Sequence, residues 1–226
     1  IELGTRPFSI LARHGFIAQS FLRSLVEKGV FSLEDANLFM RSIRTVAGEF
    51  ALDSHRTALG EISREDFFEQ YGHLRPGTYD ILSARYDQRD DLIGDARPSN
   101  IPKLSPEFEL TQLQLTGIEE LLAAEDLDIS PSALLNYIRE ATAAREYAKF
   151  VFTRGLSDAL ELIASWGSGL GLSRDDLSHL DIKTILSEVE TGSGAEEKAA
   201  HISPVPNGRV RYRSTLAPRV PQLPSD

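Results

Sequence analysis

Cysteine is absent from all 226 residues. Disulfides, thiolate nucleophiles and Cys-based zinc sites are therefore excluded, and a reducing cytoplasm is compatible with that composition. Long apolar runs are also missing: none approaches the roughly 18–20 residues that a membrane-spanning helix requires. The first residues, Ile1-Glu2-Leu3-Gly4, carry neither the basic nor the apolar part of a signal peptide. With no initiator Met, they predict a segment cut from a longer chain. No His-Glu-x-x-His pair, P-loop, dinucleotide fingerprint or Gly-x-Ser-x-Gly elbow is present. Asp87, Asp90 and Asp91 lack the Gly and distal Glu spacing of a calcium loop. The expected metal set is therefore none.

Positive charge is scarce. The chain has 24 Lys and Arg against 34 Asp and Glu, a net charge of −10. Residues 199–226 hold four arginines (209, 211, 213, 219) and a single acid, Asp226, so the remainder is more acidic still. A nucleic-acid surface needs clustered positive charge, and no nucleic-acid or membrane partner is expected. A hydrophobic content of 41% with 26% charged residues fits a globular protein with a sizeable core.

What the sequence does contain is helical periodicity. From Phe8 to Lys28 the residues Ile10, Leu11, Phe16, Ile17, Phe21, Leu22, Leu25 and Val26 form one broad stripe. Gly29 suits its stop. Ser32 begins a capping signal, and one helix is predicted from about Asp35 to Leu59, ended by Gly60. Ser63 caps a short helix through Phe67 and Phe68. Residues 87–106 read as an exposed connector. Phe108–Thr111 reads as a brief extended piece, and Leu115–Ala124 as helix. Ser130-Pro131 is a strong start for a helix of about 35 residues, reaching Trp166 and bent at Gly155. Ser173 caps another short helix and Asp181 a last one. From Thr191 onward Gly, Ser, Pro and charge dominate, and the prolines at 204, 206, 218, 221 and 224 predict no continuous helix. The expected fold is all-α: a bundle of long antiparallel helices over residues 1–190, an irregular Gly/Pro loop, and a linker or disordered tail over 191–226.

Two groups of polar residues stand out. The stretch Tyr71-Gly-His-Leu-Arg-Pro-Gly-Thr-Tyr-Asp80 interrupts the helices, and Arg85 follows it. His73 and Arg75 on such a loop fit binding of a phosphate or carboxylate, or proton transfer. By residue chemistry alone the structural reading is favoured: His73 caps a helix end and Arg75 pairs with Asp80. Gly72 and Gly77 supply positive φ or close backbone approach. The second group, Arg145, Glu146, Lys149 and Arg154, sits at helical spacing and reads as an anion-holding patch or a solvated face. His14, His55 and His179 are isolated.

Residues 67–81, Phe-Phe-Glu-Gln-Tyr-Gly-His-Leu-Arg-Pro-Gly-Thr-Tyr-Asp-Ile, resemble a motif of phosphoenolpyruvate synthase-like proteins. This dikinase-type phosphotransferase family includes rifampicin phosphotransferase and glutamine kinase. Arg145-Glu-Tyr-Ala-Lys-Phe150 is similar to the family's Arg-Glu-x-x-basic helix, and Leu172–Ile182 to the segment after it. The likeness covers roughly residues 10–190. Leu74 and Thr78 depart from the many relatives with Arg after the motif His and an acid after the second Gly.

The resemblance implies the central helical region of an ATP-dependent phosphotransferase, lacking the nucleotide-binding and phosphohistidine domains that would flank it in the parent. It implies ATP and Mg in that parent, no cofactor in this segment, and no catalytic residue of its own. His73, Arg75, Arg85, Arg145, Lys149 and Arg154 are expected to bind an acceptor or phosphate. Gly72, Pro76, Gly77 and Asp80 are expected to shape the loop. The acceptor is not specified. The alternatives are a non-catalytic helical scaffold or interaction module, and a stand-alone hydrolase or lyase using His73 and Asp80.

Overall fold

The computed structural model describes residues 2–89, 91, 108–191 and 204–216. Among them every regular element is helical. The elements are α1 (Glu2–Glu27), α2 (Leu33–Ser42), α3 (Val46–Ala58), α4 (Arg64–Tyr71), a 3-10 turn (Tyr86–Gln88), α5 (Gln112–Ala124), α6 (Pro131–Gly169), α7 (Arg174–Ser178), α8 (Ile182–Thr191) and α9 (Pro204–Leu216). No helix among the described residues is long and apolar enough to cross a membrane.

Most helix starts are written locally. The Ser32 hydroxyl accepts from the Asp35 amide while Asp35 accepts from the Ser32 amide, and Ser173 and Asp176 repeat the arrangement. Ser63 accepts from the Asp66 amide at the head of α4. Each cap satisfies donors that a helix start leaves free, and its acid suits the positive end of the helix. These bonds hold the Asp35 and Asp176 carboxyls below the ordinary aspartate value, with the serine hydroxyl as the largest cause.

Several boundaries differ from expectation. The single helix predicted over 35–59 is two, because Ile43 is extended and Thr45 starts a new helix by accepting from the Gly48 amide. Phe108–Thr111 lies outside any helix as expected, and Thr111, its backbone extended, is the N-cap of α5, in a capping box with Gln114. Residues 204–216 are helical although prolines predicted otherwise. Pro204 and Pro206 both fall in the first turn of α9, where a missing N–H breaks no helical bond. Most of the predicted connector, and residues 192–203 and 217–226 of the predicted tail, lie outside the described residues.

The chain divides into two compact units. Unit 1 comprises residues 1–73 and 86–155; unit 2 comprises 74–85 and 156–226. In unit 1, Ala18, Leu22 and Leu25 of α1 pack with Phe31, Phe39, Ile118, Leu134 and Ile138 in one buried core, with Phe108 against Phe31 and Phe39. Phe8 stacks on Phe152 while Phe21 meets Tyr137, so α1 and α6 run in opposite directions there. In unit 2, Ile81, Leu172, Leu177 and Val205 form a smaller core.

Candidate functional site

The 67–86 motif is anchored first through its aromatic residues. Phe67 and Tyr71 point one turn apart from α4 into a cluster with Phe50, and Tyr71 also meets Phe150. The Tyr71 hydroxyl donates to Asp53 Oδ2 at 2.9 Å and accepts from Gln70 Nε2. Burial first, and the bond to Asp53 second, push the Tyr71 phenol well above its ordinary value. Gly72 follows at the end of α4. A Cβ there would lie 2.3 Å from the Phe68 carbonyl and 2.9 Å from the Asp87 Cβ. The Asp87 amide donates to the Gly72 carbonyl at 3.2 Å. Gly77 is hemmed by Asp80 and Ser83 in the same way. Neither glycine has positive φ; both serve close approach.

His73 is 2% exposed. Its ring lies edge-on to Phe150, 4.7 Å between centroids, and Nε2 lies 3.3 Å from the Phe150 carbonyl, to which it donates in the tautomer protonated there. Arg154 of α6 donates to the carbonyls of Glu69 and Gln70, satisfying acceptors that the end of α4 leaves open. Arg145 packs its guanidinium over Phe16, 4.9 Å from the ring centroid, with its methylenes against Gly15. Lys149 is exposed and has no hydrogen-bond or ion-pair partner among the described residues. All four belong to unit 1.

Arg75 and Arg85 belong to unit 2. The Arg75 side chain is 1% exposed. Its Nε donates to Ser157 Oγ at 3.2 Å; Nη1 donates to the carbonyls of Asp80 (3.3 Å) and Ser83 (3.0 Å). Nη2 donates to Ser157 Oγ at 2.9 Å and to Glu161 Oε1 at 3.0 Å. A guanidinium has five N–H groups, and these contacts occupy them all. Glu161 is also gripped by Arg174, Nη2 to Oε2 at 2.6 Å, while Arg174 Nη1 donates to the Ile81 carbonyl. The expected Arg75–Asp80 pair is thus made through the Asp80 backbone; its carboxylate instead accepts from the Leu82 amide. Pro76 is exposed at the head of the loop. Arg85 pairs with Asp158 at 2.7 Å.

The partners of Arg75 were not singled out in the sequence. Ser157 and Glu161 are one helical turn apart and share a face of α6. Ser157 is buried and Glu161 half-buried on that face, which the spacing alone does not reveal. Two hollows of unit 1, of about 330 and 400 Å³, are lined by other residues: one lies between the start of α1 and residues 147–155, the other between α1, α5 and the start of α6. Among the described residues no three His, Asp or Glu are grouped as metal ligands. Comparison with protein-family models, curated proteins and solved structures finds no match to this chain.

Proposed function

We propose that this chain is the central helical connecting domain of an ATP-dependent, dikinase-type phosphotransferase. It would be a bundle of long antiparallel helices, located in the cytoplasm. Nucleotide binding and phosphohistidine transfer would reside in flanking domains of the parent. What supports this reading is the likeness of residues 67–81, 145–150 and 172–182 and their order along the chain; the saturation of Arg75 supports the connecting role within it. The motif that gives the likeness directs its guanidinium to two carbonyls of its own loop and to Ser157 and Glu161 of α6. A group spent in that way builds a corner and has no N–H left for a phosphoryl oxygen. Acceptor binding, if it falls within unit 1, would draw on Lys149, whose ammonium is exposed.

The test combines activity and binding. The chain alone, given Mg-ATP with candidate sugar and amino-acid acceptors, is expected to release neither AMP nor phosphate. Turnover by the chain alone would overturn the division of labour. In NMR titrations with inorganic phosphate and phosphoenolpyruvate, Arg75→Ala is expected to change stability and not anion affinity. Loss of affinity at unchanged melting temperature would instead make Arg75 a ligand.

A further inference from the structure

The strongest feature outside the motif is the hollow of about 400 Å³ in unit 1. Phe21 and Leu25 of α1, Leu121 and Leu122 of α5, Leu127, and Leu134 of α6 line its apolar part, with Lys28 and Glu125 at its polar part. The volume falls within the range of ligand-sized sites. An open depression lined by Glu119, Asp126 and Asp128 adjoins it, sharing Leu122 and Leu127. Leu127 and Ile129 are 41% and 46% exposed between the two.

The charges around this hollow run against the local helix ends. Helix α5 closes at Ala124 with no basic residue in its last turn, and Glu125 and Asp126 follow. Helix α1 also has no basic residue in its last turn, which contains Glu27; Lys28 follows it. The carbonyl end of a helix is negative and favours cations, so these acids repel the ends they sit on. From residue 108 to 138 the sequence holds six acids and no Lys or Arg. Glu119, Glu125, Asp126 and Asp128 make no ion pair among the described residues. Asp128 has a local reason, standing just before the start of α6. Asp126 has another, its left-handed backbone (φ 55°) at the stop that follows α5. Glu119 and Glu125 have none.

From the apolar hollow and the excess of acids around it over the single Lys28 we infer that the α1–α5–α6 face docks a basic amphipathic helix of a partner protein. Its large apolar side chains enter between Leu121, Leu127 and Phe21, and its Lys or Arg residues meet Glu119, Glu125 and Asp126. This is helix-in-groove recognition, with charge complementarity setting orientation and on-rate. It goes beyond the connecting role and does not depend on it.

The probe is a fluorescent, amidated twelve-residue Leu/Lys amphipathic peptide, followed by anisotropy. Saturable binding that weakens with salt is expected. Glu119→Lys/Glu125→Lys should weaken it at least tenfold, and Leu127→Asp should do the same, with helical circular dichroism unchanged. Glu69→Lys/Glu140→Lys, with the same change in net charge, should alter it less than twofold. Equal losses from both charge pairs would reduce the effect to bulk attraction and overturn the docking site. So would equal binding of a Leu/Glu peptide, absence of saturation, or dodecylammonium occupying the hollow without competition from the Leu/Lys peptide.

Discussion

Arg75 holds the single hydroxyl of Ser157 in a fork, Nε at 3.2 Å and Nη2 at 2.9 Å. Ser157 is 2% exposed, so water cannot replace that oxygen. Ser157→Ala should destabilise the protein by about 1–3 kcal/mol, the usual cost of stranding buried donors. Arg75→Ala, which strands the carbonyls of Asp80 and Ser83 and the Ser157 hydroxyl while Glu161 keeps Arg174, should cost about 3 kcal/mol. Urea denaturation followed by circular dichroism measures both. Equal stability of Ser157→Ala and the parent would show that the fork is incidental.

Gly15 lies against the Arg145 side chain, and a Cβ there would meet its Cδ at 2.4 Å and its Cβ at 3.0 Å. Gly15→Ala should therefore cost about 1–3 kcal/mol from overpacking. Arg145→Ala should recover most of that loss in the double variant, since the two residues are in contact. An additive double variant would contradict the packing described.

Gly155 has open space where a Cβ would stand, within the continuous helix α6. Gly155→Ala should stabilise the protein by about 1 kcal/mol through helix propensity. A fall in melting temperature would be the contrary result.

Gly208 of α9 approaches His179 so closely that a Cβ would sit 1.8 Å from the His179 carbonyl oxygen. Arg209 next to it pairs with Asp175 and Asp176, and Val205 is buried in the unit 2 core. Gly208→Ala should raise amide exchange across residues 204–216 while leaving α1 and α5 protected. Arg209→Ala should do so more weakly, because exposed pairs contribute little. Unchanged exchange in Gly208→Ala would remove α9 from that contact.

The raised phenol of Tyr71 makes stability fall in alkali. The neutral form is favoured in the folded chain, so its contribution is fully present below the ordinary tyrosine value near 10 and is lost as pH rises above it. Tyr71→Phe should be less stable at neutral pH and show a shallower decline above pH ~10. Ultraviolet difference titration of the parent against Tyr71→Phe should find the Tyr71 phenol ionising only as the fold opens. Ionisation of the Tyr71 phenol near pH ~10 in a folded chain would be inconsistent with the Tyr71–Asp53 bond.

Helix type and most starts were legible because their causes are local. Ser32, Ser63 and Ser173 announce helices with an acid three residues on, and Ser130-Pro131 announces α6. The break at 43–45 was missed because apolar spacing alone runs through it. Its sign was the Thr45 cap, which is equally local. The site was less legible. His73 and Arg75 were conspicuous as residue types. What they do is decided by Phe150, Ser157 and Glu161, more than seventy positions later, and no short-range pattern names such partners.

The helix caps have a further consequence for synthesis. Ser32 with Asp35, Ser63 with Asp66, Thr111 with Gln114 and Ser173 with Asp176 are each complete within four residues. As the chain leaves the ribosome at about 5–20 residues per second, each start signal is whole within a second of its first residue emerging. The start signals at Ser32, Ser63 and Thr111 are then complete before Ser157 and Glu161 exist for Arg75 to bind, and the one at Ser173 follows them.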